Sequence, residues 1–294
     1  MTSQSVTDQR IVCIVDAARK LVPWEQSKRG NPMTRLERIK KLNQMLLADL
    51  PQYCHDAGKF QDDEINQRRL LRSLMNVRPP MPLNQEFLIL QDDLLSAESK
   101  EKGIVTIGEL PGTAVPGVYL WQGDITRLMV DAIVNAANSA LLGCFCPCHG
   151  CIDNGIHSAA GLQLRDECSQ LMQAQGRQEA TGQAKITGAY NLPSRYVLHT
   201  VGPIVHGPLK EEDCEALQSC YRSCLTLAEE KNLKSIAFCC ISTGEFHFPN
   251  QEAAEIAVAA VKEFLDQKGS GMEVIFNVFK DLDYKIYHEL LGTA

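Results

Sequence analysis

The chain has 294 residues, of which 45% are hydrophobic and 22% are charged, which is ordinary usage for a globular protein. The formal net charge of -7 argues against bulk nucleic-acid binding, because such proteins neutralise phosphates with many Lys and Arg side chains. A small phosphorylated ligand is still allowed, since backbone N–H groups can bind phosphate. With no signal-peptide pattern and no apolar run approaching the ~20 residues that span a bilayer, we expect a soluble, cytoplasmic protein that has no membrane partner.

The first hundred residues predict helices. Apolar residues recur there at the spacing of one helical face in four segments: Arg10 to Leu21, Leu36 to Leu50, Asn66 to Val77 and Phe87 to Leu95. We therefore predict an α-helical N-terminal extension over residues 1–102.

From about Gly103 onwards, short apolar strands alternate with helices. The predicted strands are Ile104 to Ile107, Val118 to Trp121, Ala132 to Asn135, Lys185 to Ala189, Tyr196 to Val201, Ser235 to Cys240 and Glu273 to Val278. The predicted helices are Ile156 to Met172, Glu211 to Lys231, Glu252 to Gln267 and Asp281 to Leu291, the last with Asp281 as its N-cap. This alternation predicts a three-layer α/β domain over residues 103–294 with a mixed, largely parallel central sheet. Such sheets bind ligands at the carboxyl ends of their strands.

Polar residues follow several of these strands. Asp124 comes after the second strand, Asn135 and Asn138 end the third, and a Ser-Thr-Gly run, Ser242 to Gly244, follows a later one. Each could simply cap or close a turn. Together they form a candidate binding edge, because amide, carboxylate and backbone groups at strand ends can hold a nucleotide.

Four of the twelve cysteines fall within eight residues, at Cys144, Cys146, Cys148 and Cys151, together with His149. Thiolate and imidazole are preferred zinc ligands, so this loop is a candidate metal site. Four thiols would make a closed structural site, whereas three ligands would leave a catalytic position open. A cysteine-rich loop that holds no metal is the third reading. The absence of a second ligand pair at finger spacing favours the open site.

The pairing of Gly123-Asp124-Ile125-Thr126 with Val134-Asn135-Ala136-Ala137-Asn138 resembles the macrodomain family, which binds ADP-ribose. The resemblance implies that Asp124 holds the adenine amine, Asn138 contacts the distal ribose and Asn135 supports the loop. The run from Ser242 to Pro249 is similar to the phosphate loop of that family.

The loop from Cys144 to Cys151, called the metal loop below, resembles one particular group within the macrodomain family. Gly143-Cys144-Phe145, followed by Pro147-x-His149-x-Cys151-Ile152-Asp153-Asn154, is similar to zinc-dependent microbial macrodomains, which also carry a helical extension with a segment like Arg69 to Arg78. This implies Zn²⁺ bound by Cys144, His149 and Cys151. Cys146 and Cys148 are additional thiols in this chain.

The implied site can be stated residue by residue. Ligand contacts are implied for Asp124, Ile125, Asn138, Ile152, Asp153, Asn154, Ser242, Thr243, Gly244, Glu245 and Phe246. Asn138, Asp153 and Glu245 are the candidate catalytic residues. The carboxylate of Asp153 or that of Glu245 could be the base, and either could instead be a partner of a zinc ligand. We expect Asn154 to be the N-cap of the next helix and His157 to be structural.

The expected activity is hydrolysis of mono-ADP-ribose from modified protein side chains, most simply ester-linked at Asp or Glu. Zinc could lower the pKa of a bound water or orient the distal ribose, and the sequence does not choose between them. Two alternatives are a non-catalytic ADP-ribose reader and an O-acetyl-ADP-ribose deacetylase. The expected partners are ADP-ribose, a mono-ADP-ribosylated protein and, from the resemblance, a sirtuin-type ADP-ribosyltransferase system.

Overall fold

The computed structural model describes residues 33–268 and 271–292. The chain divides into two units, Met1–Met33 and Thr34–Ala294, and the description below concerns the second. The predicted helix from Arg10 to Leu21 lies outside the described residues. Within the described ranges, no helix is both long and apolar enough to cross a membrane.

The N-terminal part is helical, as predicted. Its helices are α1 Arg35–Asp49, α2 Cys54–Ala57, α3 Glu64–Val77 and α4 Gln85–Lys102. The three longer helices each begin at a capping side chain, from Thr34, Asp63 and Asn84 respectively, which accepts hydrogen bonds from the first turn. Their leucine-rich faces form one apolar cluster, and Leu162 of a later helix also belongs to it. The helical region therefore shares its core with the part of the chain that follows.

In the described residues, two short strands, β1 Val105–Thr106 and β3 Leu128–Met129, form a two-stranded sheet. The larger sheet consists of β2 Val118–Gln122, β4 Ala132–Ala137, β5 Ala184–Gly188, β6 Tyr196–Val201, β7 Ser235–Phe238 and β8 Glu273–Val278. Its strand order is β2-β8-β7-β4-β6-β5. All neighbours in the larger sheet run parallel except β5, which is antiparallel to β6. The predicted mixed, largely parallel sheet is confirmed.

Helices cover this sheet on both faces. They are α5 Ile152–Ala160, α6 Leu162–Gln175, α7 Glu211–Glu230, α8 Asn250–Lys268 and α9 Asp281–Leu291. The central strands β4 and β7 are buried almost throughout, which is the pattern of parallel strands covered on both sides. The architecture is thus three-layered, with β4 in the interior and its carboxyl end leading to the metal loop.

Three predicted local features are wrong. The predicted helix from Ile156 to Met172 is two helices, α5 and α6, broken at Gly161, whose φ is 100°. A Cβ on Gly161 would lie 2.6 Å from Nε2 of Gln91, and Gln91 also accepts a hydrogen bond from the Leu162 N–H. The extension therefore sets this break.

The other two corrections concern helix starts. Asp281 is the first residue of α9, and Lys280 is its N-cap. The N-cap of α5 is Cys151 rather than Asn154, because the Cys151 sulfur accepts the Asn154 N–H at 3.4 Å.

Candidate functional site

A buried polar chain runs beneath the carboxyl end of β4. Asn135 is 0% exposed, and its Nδ2 donates to Asp153 Oδ1 at 2.8 Å and to His199 Nδ1 at 3.2 Å. Because an amide nitrogen only donates, His199 Nδ1 is the acceptor and the ring proton lies on Nε2, which donates to Thr187 Oγ1 at 2.9 Å. Burial lowers the pKa of His199 to about 3, so its ring is neutral at physiological pH. These linked hydrogen bonds hold the Asp153 carboxylate in place.

Asn138 fixes the same carboxylate from the strand end. Its Nδ2 donates to Asp153 Oδ2 at 3.3 Å and to the Gly143 carbonyl at 3.0 Å, while its Oδ1 accepts the Ala140 N–H. Burial raises the pKa of Asp153 to about 6, and the bond from Asn135 partly opposes that rise. His157 lies below, with its Nε2 3.5 Å from Asp153 Oδ1, and is buried as expected for a structural residue. Asn138 and Asp153, two of the expected site residues, are thus in contact.

The metal loop brings three ligand atoms together. The side chains of Cys144, His149 and Cys151 lie with their ligand atoms within 4.8 Å of one another. Cys144 Sγ is 3.6 Å from His149 Nδ1. Burial raises the pKa of the Cys151 thiol to about 12, and the facing Cys144 adds to the rise. Two thiols facing each other in this way need a cation before both can ionise, so the residues present fit a divalent metal.

The loop from Ser242 to Pro249, called the phosphate loop below, approaches the metal loop through Glu245, which lies near His149. Glu245 Oε1 lies 3.6 Å from His149 Nε2, the ring nitrogen that faces away from Cys144. The Glu245 carboxylate is 67% exposed and free to reach solvent. This arrangement can select the tautomer in which Nδ1 is available to a metal.

Ser242, in the phosphate loop, has a left-handed backbone with φ of 64° and is buried. A Cβ on Gly202 would lie 2.0 Å from Ser242 Oγ, so only glycine allows the turn after β6 to approach this closely. Among the described residues, none accepts a hydrogen bond from the backbone N–H groups of Gly244, Glu245 and Phe246. Successive free N–H groups in a turn are suited to an anion.

Asp124 lies at the carboxyl end of β2, and one of its carboxylate oxygens accepts hydrogen bonds from a neighbouring residue. Its Oδ1 accepts from the N–H and hydroxyl of Thr126, so it caps the 3₁₀ turn Ile125–Arg127 in which Ile125 is buried. Its other oxygen, Oδ2, lies 3.6 Å from Lys102 Nζ at the end of α4. A cavity of about 180 Å³ adjoins Asp124, between α3, α4 and α5.

Several residues that serve this region were missed by sequence reasoning. Phe279 is 77% exposed and directly follows β8, the strand beside β2. Its position after a strand end could have marked it as a candidate ligand contact. Arg72, Asn76 and Arg165 contact the metal loop or its surroundings from other helices. Arg72 and Asn76 lie in the segment from Arg69 to Arg78 that carries part of the resemblance, whereas no local pattern marks Arg165. The side-chain amide of Asn154 is fully buried and donates to the carbonyl of Cys146.

Comparison with known proteins agrees with this geometry. The Macro domain family model matches residues 134–257. A protein-ADP-ribose hydrolase of Treponema medium is 52% identical over 263 residues, which cover 88% of this chain and 100% of that protein. A protein-ADP-ribose hydrolase of Staphylococcus aureus strain MRSA252 is 48% identical, covering 75% of this chain and 83% of that protein.

The fold has solved counterparts as well. A Trypanosoma brucei macrodomain in complex with ADP-ribose matches with a TM-score of 0.59 and 32% sequence identity, covering 75% of this chain and 95% of that one. Sequence similarity over most of the length and the shared fold lead to one conclusion. This chain belongs to the macrodomain family, among relatives named protein-ADP-ribose hydrolase.

Proposed function

We propose that this chain hydrolyses mono-ADP-ribose from protein side chains, ester-linked at Asp or Glu, with Zn²⁺ held by Cys144, His149 and Cys151. The names of its relatives support the hydrolase activity. The observation that carries the zinc assignment is the convergence of two thiol sulfurs and one imidazole nitrogen within 4.8 Å, in the loop that follows β4 and Asn138. We also propose that residues 103–294 form the macrodomain and that residues 1–102 form its helical N-terminal extension.

The ligand geometry supports zinc. The 3.6 Å between Cys144 Sγ and His149 Nδ1 is close to the ~3.6 Å edge expected for a tetrahedral zinc with ordinary Zn–S and Zn–N bonds. Within the described part of the chain, no fourth Cys, His, Asp or Glu joins this group. Three protein ligands with an open position are typical of a catalytic site. Bound zinc would supply Lewis acidity for a ribose oxygen or a water molecule beside the distal ribose.

The residues around the metal loop position the distal ribose. Asn138 lies at the strand end, and Asp153 holds the Asn138 amide in place. Asn135 in turn holds Asp153, so this pair cannot rotate away from the ligand. A site fixed in this way loses little free energy to reorganisation when the substrate reacts.

Glu245 has two proposed roles, orienting His149 and acting as general base. The 3.6 Å contact with His149 Nε2 supports the first, and the exposure of its carboxylate to entering water supports the second. Glu245→Gln separates them. A loss of kcat with zinc fully retained assigns the base, whereas a loss of zinc affinity assigns the orientation of His149.

The remaining contacts hold the rest of ADP-ribose. We assign the diphosphate to the N–H groups of Gly244, Glu245 and Phe246, together with Ser242 and Thr243. We assign adenine to Oδ2 of Asp124, the oxygen that does not bind Thr126, with Ile125 beside it and the exposed ring of Phe279 as a stacking surface. Ile152, Asp153 and Asn154 form the first turn of α5, between the metal loop and the distal ribose.

The test is release of ADP-ribose from a mono-ADP-ribosylated protein by the zinc-loaded chain, with Cys151→Ala alongside. Cys54→Ala is the matched control, because Cys54 is exposed on α2 and belongs to no ligand group. Release by the wild type and Cys54→Ala, but not by Cys151→Ala, supports the proposal. Binding of ADP-ribose in calorimetry without any release would contradict it and favour a reader. The expected sirtuin-type transferase finds no support among the relatives, and the proposal does not include it.

A further inference from the structure

One face of α3, in the helical extension, lies against the metal loop. Arg72 Nη2 donates to the backbone carbonyl of His149 at 3.1 Å and to Asn154 Oδ1 at 2.7 Å, and its Nε also approaches Asn154 Oδ1 at 3.3 Å. One guanidinium therefore holds both the backbone of a proposed zinc ligand and the side chain of Asn154 in the first turn of α5.

Asn154 passes this contact on to the rest of the loop. It is fully buried, and its Nδ2 donates to the carbonyl of Cys146 at 2.9 Å and to that of Cys144 at 3.5 Å. Its backbone N–H donates to the sulfur of Cys151. Through this residue, Arg72 is connected to the surroundings of all three proposed ligands.

The next turn of α3 holds the middle of the loop. Asn76 Oδ1 accepts the Cys148 N–H at 2.8 Å, and Asn76 Nδ2 donates to Ser158 Oγ at 3.0 Å. Ser158 Oγ donates to Asn154 Oδ1 at 3.3 Å, which connects Asn76 to Asn154. Cys148 has a left-handed backbone with φ of 51°, a conformation that a non-glycine residue needs surrounding contacts to keep.

Arg165 of α6 joins the far end of α3 to the start of the loop. It is buried, and it donates to the carbonyls of Met75 and Arg78 at 2.8 and 2.6 Å and to that of Leu142 at 2.7 Å. Its guanidinium carbon lies 4.4 Å from the ring centre of Phe145. Both ends of the loop are thus fixed to the extension.

We propose that α3 is the positioning element of the zinc site, with Arg72 as its central positioning residue. The inference rests on the proposed zinc-dependent function. The loop contains Pro147 and Gly150 and has no regular structure of its own, so external contacts must set the spacing of its ligands. A site held in advance binds its metal without the cost of ordering the loop, and partners outside the ligand set are worth ~10–100-fold in metal affinity.

The experiment measures zinc affinity by competition with a chelator, and the absorption spectrum of the Co²⁺-loaded protein, for the wild type, Arg72→Ala and Arg72→Lys. Arg68→Ala is the matched control, because Arg68 lies one turn earlier on α3 and, within the described part of the chain, binds Glu98 rather than the metal loop. We expect Arg72→Ala to weaken zinc binding by about 10–100-fold and to alter the Co²⁺ spectrum. We expect Arg72→Lys to be intermediate, since an ammonium cannot reproduce the planar fork. Arg68→Ala should bind zinc as the wild type does.

Thermal melting curves accompany the measurement, so that a general loss of stability is seen directly. Wild-type zinc affinity in Arg72→Ala would overturn the inference, and so would an equal loss in Arg68→Ala. If Arg72→Ala does not fold, the same comparison is made with Arg72→Lys. A wild-type protein that takes up neither Zn²⁺ nor Co²⁺ would overturn the proposed zinc function as well, and this outcome is distinct because it appears before any substitution.

Discussion

Asn135 donates a 2.8 Å hydrogen bond to Asp153, joining the interior of the sheet to the first turn of α5. We expect Asn135→Ala to lower kcat by ~10–100-fold, because a group that holds a catalytic residue is typically worth that much. KM should change less than kcat. The measurement is steady-state release of ADP-ribose from a mono-ADP-ribosylated protein.

The control for this prediction is Asn43→Ala. Asn43 is also buried, but its amide binds Gln67 within the helical extension. Both substitutions remove a buried amide, which costs about 1–3 kcal/mol of stability. A similar loss of kcat in both variants would show that Asn135 acts through stability alone.

Gly202→Ala should weaken ADP-ribose binding by about tenfold or more, because the added methyl group would force the buried Ser242 and Ile241 side chains to move. Overpacking of this kind costs ~1–3 kcal/mol. The added Cβ would lie 2.0 Å from Ser242 Oγ and 2.8 Å from Ile241 Cγ2. Calorimetric titration with ADP-ribose checks this. Gly108→Ala serves as the comparison, because a Cβ there meets no atom within 4 Å. Unchanged affinity in Gly202→Ala would mean that the loop does not hold the diphosphate.

His199 makes stability depend on pH. Burial lowers its folded-state pKa to about 3, whereas the unfolded chain titrates near its ordinary pKa of 6.5. Below pH 6.5 the unfolded state therefore binds more protons, and the free energy of unfolding falls as the pH falls towards 3. For one histidine the slope approaches ~1.4 kcal/mol per pH unit inside that window.

The matched variant is His199→Gln, which keeps a donor and an acceptor but does not titrate. Urea unfolding at several pH values should give a shallower slope for this variant, and the comparison cancels the carboxyl groups that titrate in both proteins. Parallel slopes for the two proteins would show that His199 is not kept neutral by the fold.

Cys146→Ser and Cys148→Ser should each retain one zinc per chain, whereas Cys144→Ser should not. The Cys146 side chain is exposed, and Cys148 Sγ lies 3.3 Å from Ser73 Oγ, outside the ligand group. Metal content measured by atomic absorption tests this. Loss of zinc from either of the first two variants would change the ligand set.

The main elements could be predicted because their signals are local. Tyr196–Val201 was predicted with its observed bounds, since four of its six residues are aromatic or β-branched, as is typical of strands. Asn138 and Asp153 were implied as site residues by the resemblance, and the structure puts Asn138 Nδ2 3.3 Å from Asp153 Oδ2. The break at Gly161 could not be predicted, because the residue that enforces it, Gln91, lies 71 positions before Leu162, whose N–H it accepts.

The same limit applies to the metal loop. Cys144, His149 and Cys151 are recognisable by residue type and spacing. The contacts that hold them come from distant positions, as when Arg72 binds the His149 carbonyl across 77 residues. A local pattern also gave the wrong cap for α5, because Asn is a common N-cap whereas Cys151 takes that place here.

The distance between α3 and the metal loop along the chain has a consequence for biosynthesis. Arg72 leaves the ribosome 77 residues ahead of His149, so the helix that receives the loop is made before the loop itself. Domains generally fold as units, and this helix shares its apolar core with Leu162 of a later helix. The surface that receives the loop is therefore complete only after both parts have been synthesised, and until then four closely spaced thiols are open to oxidation.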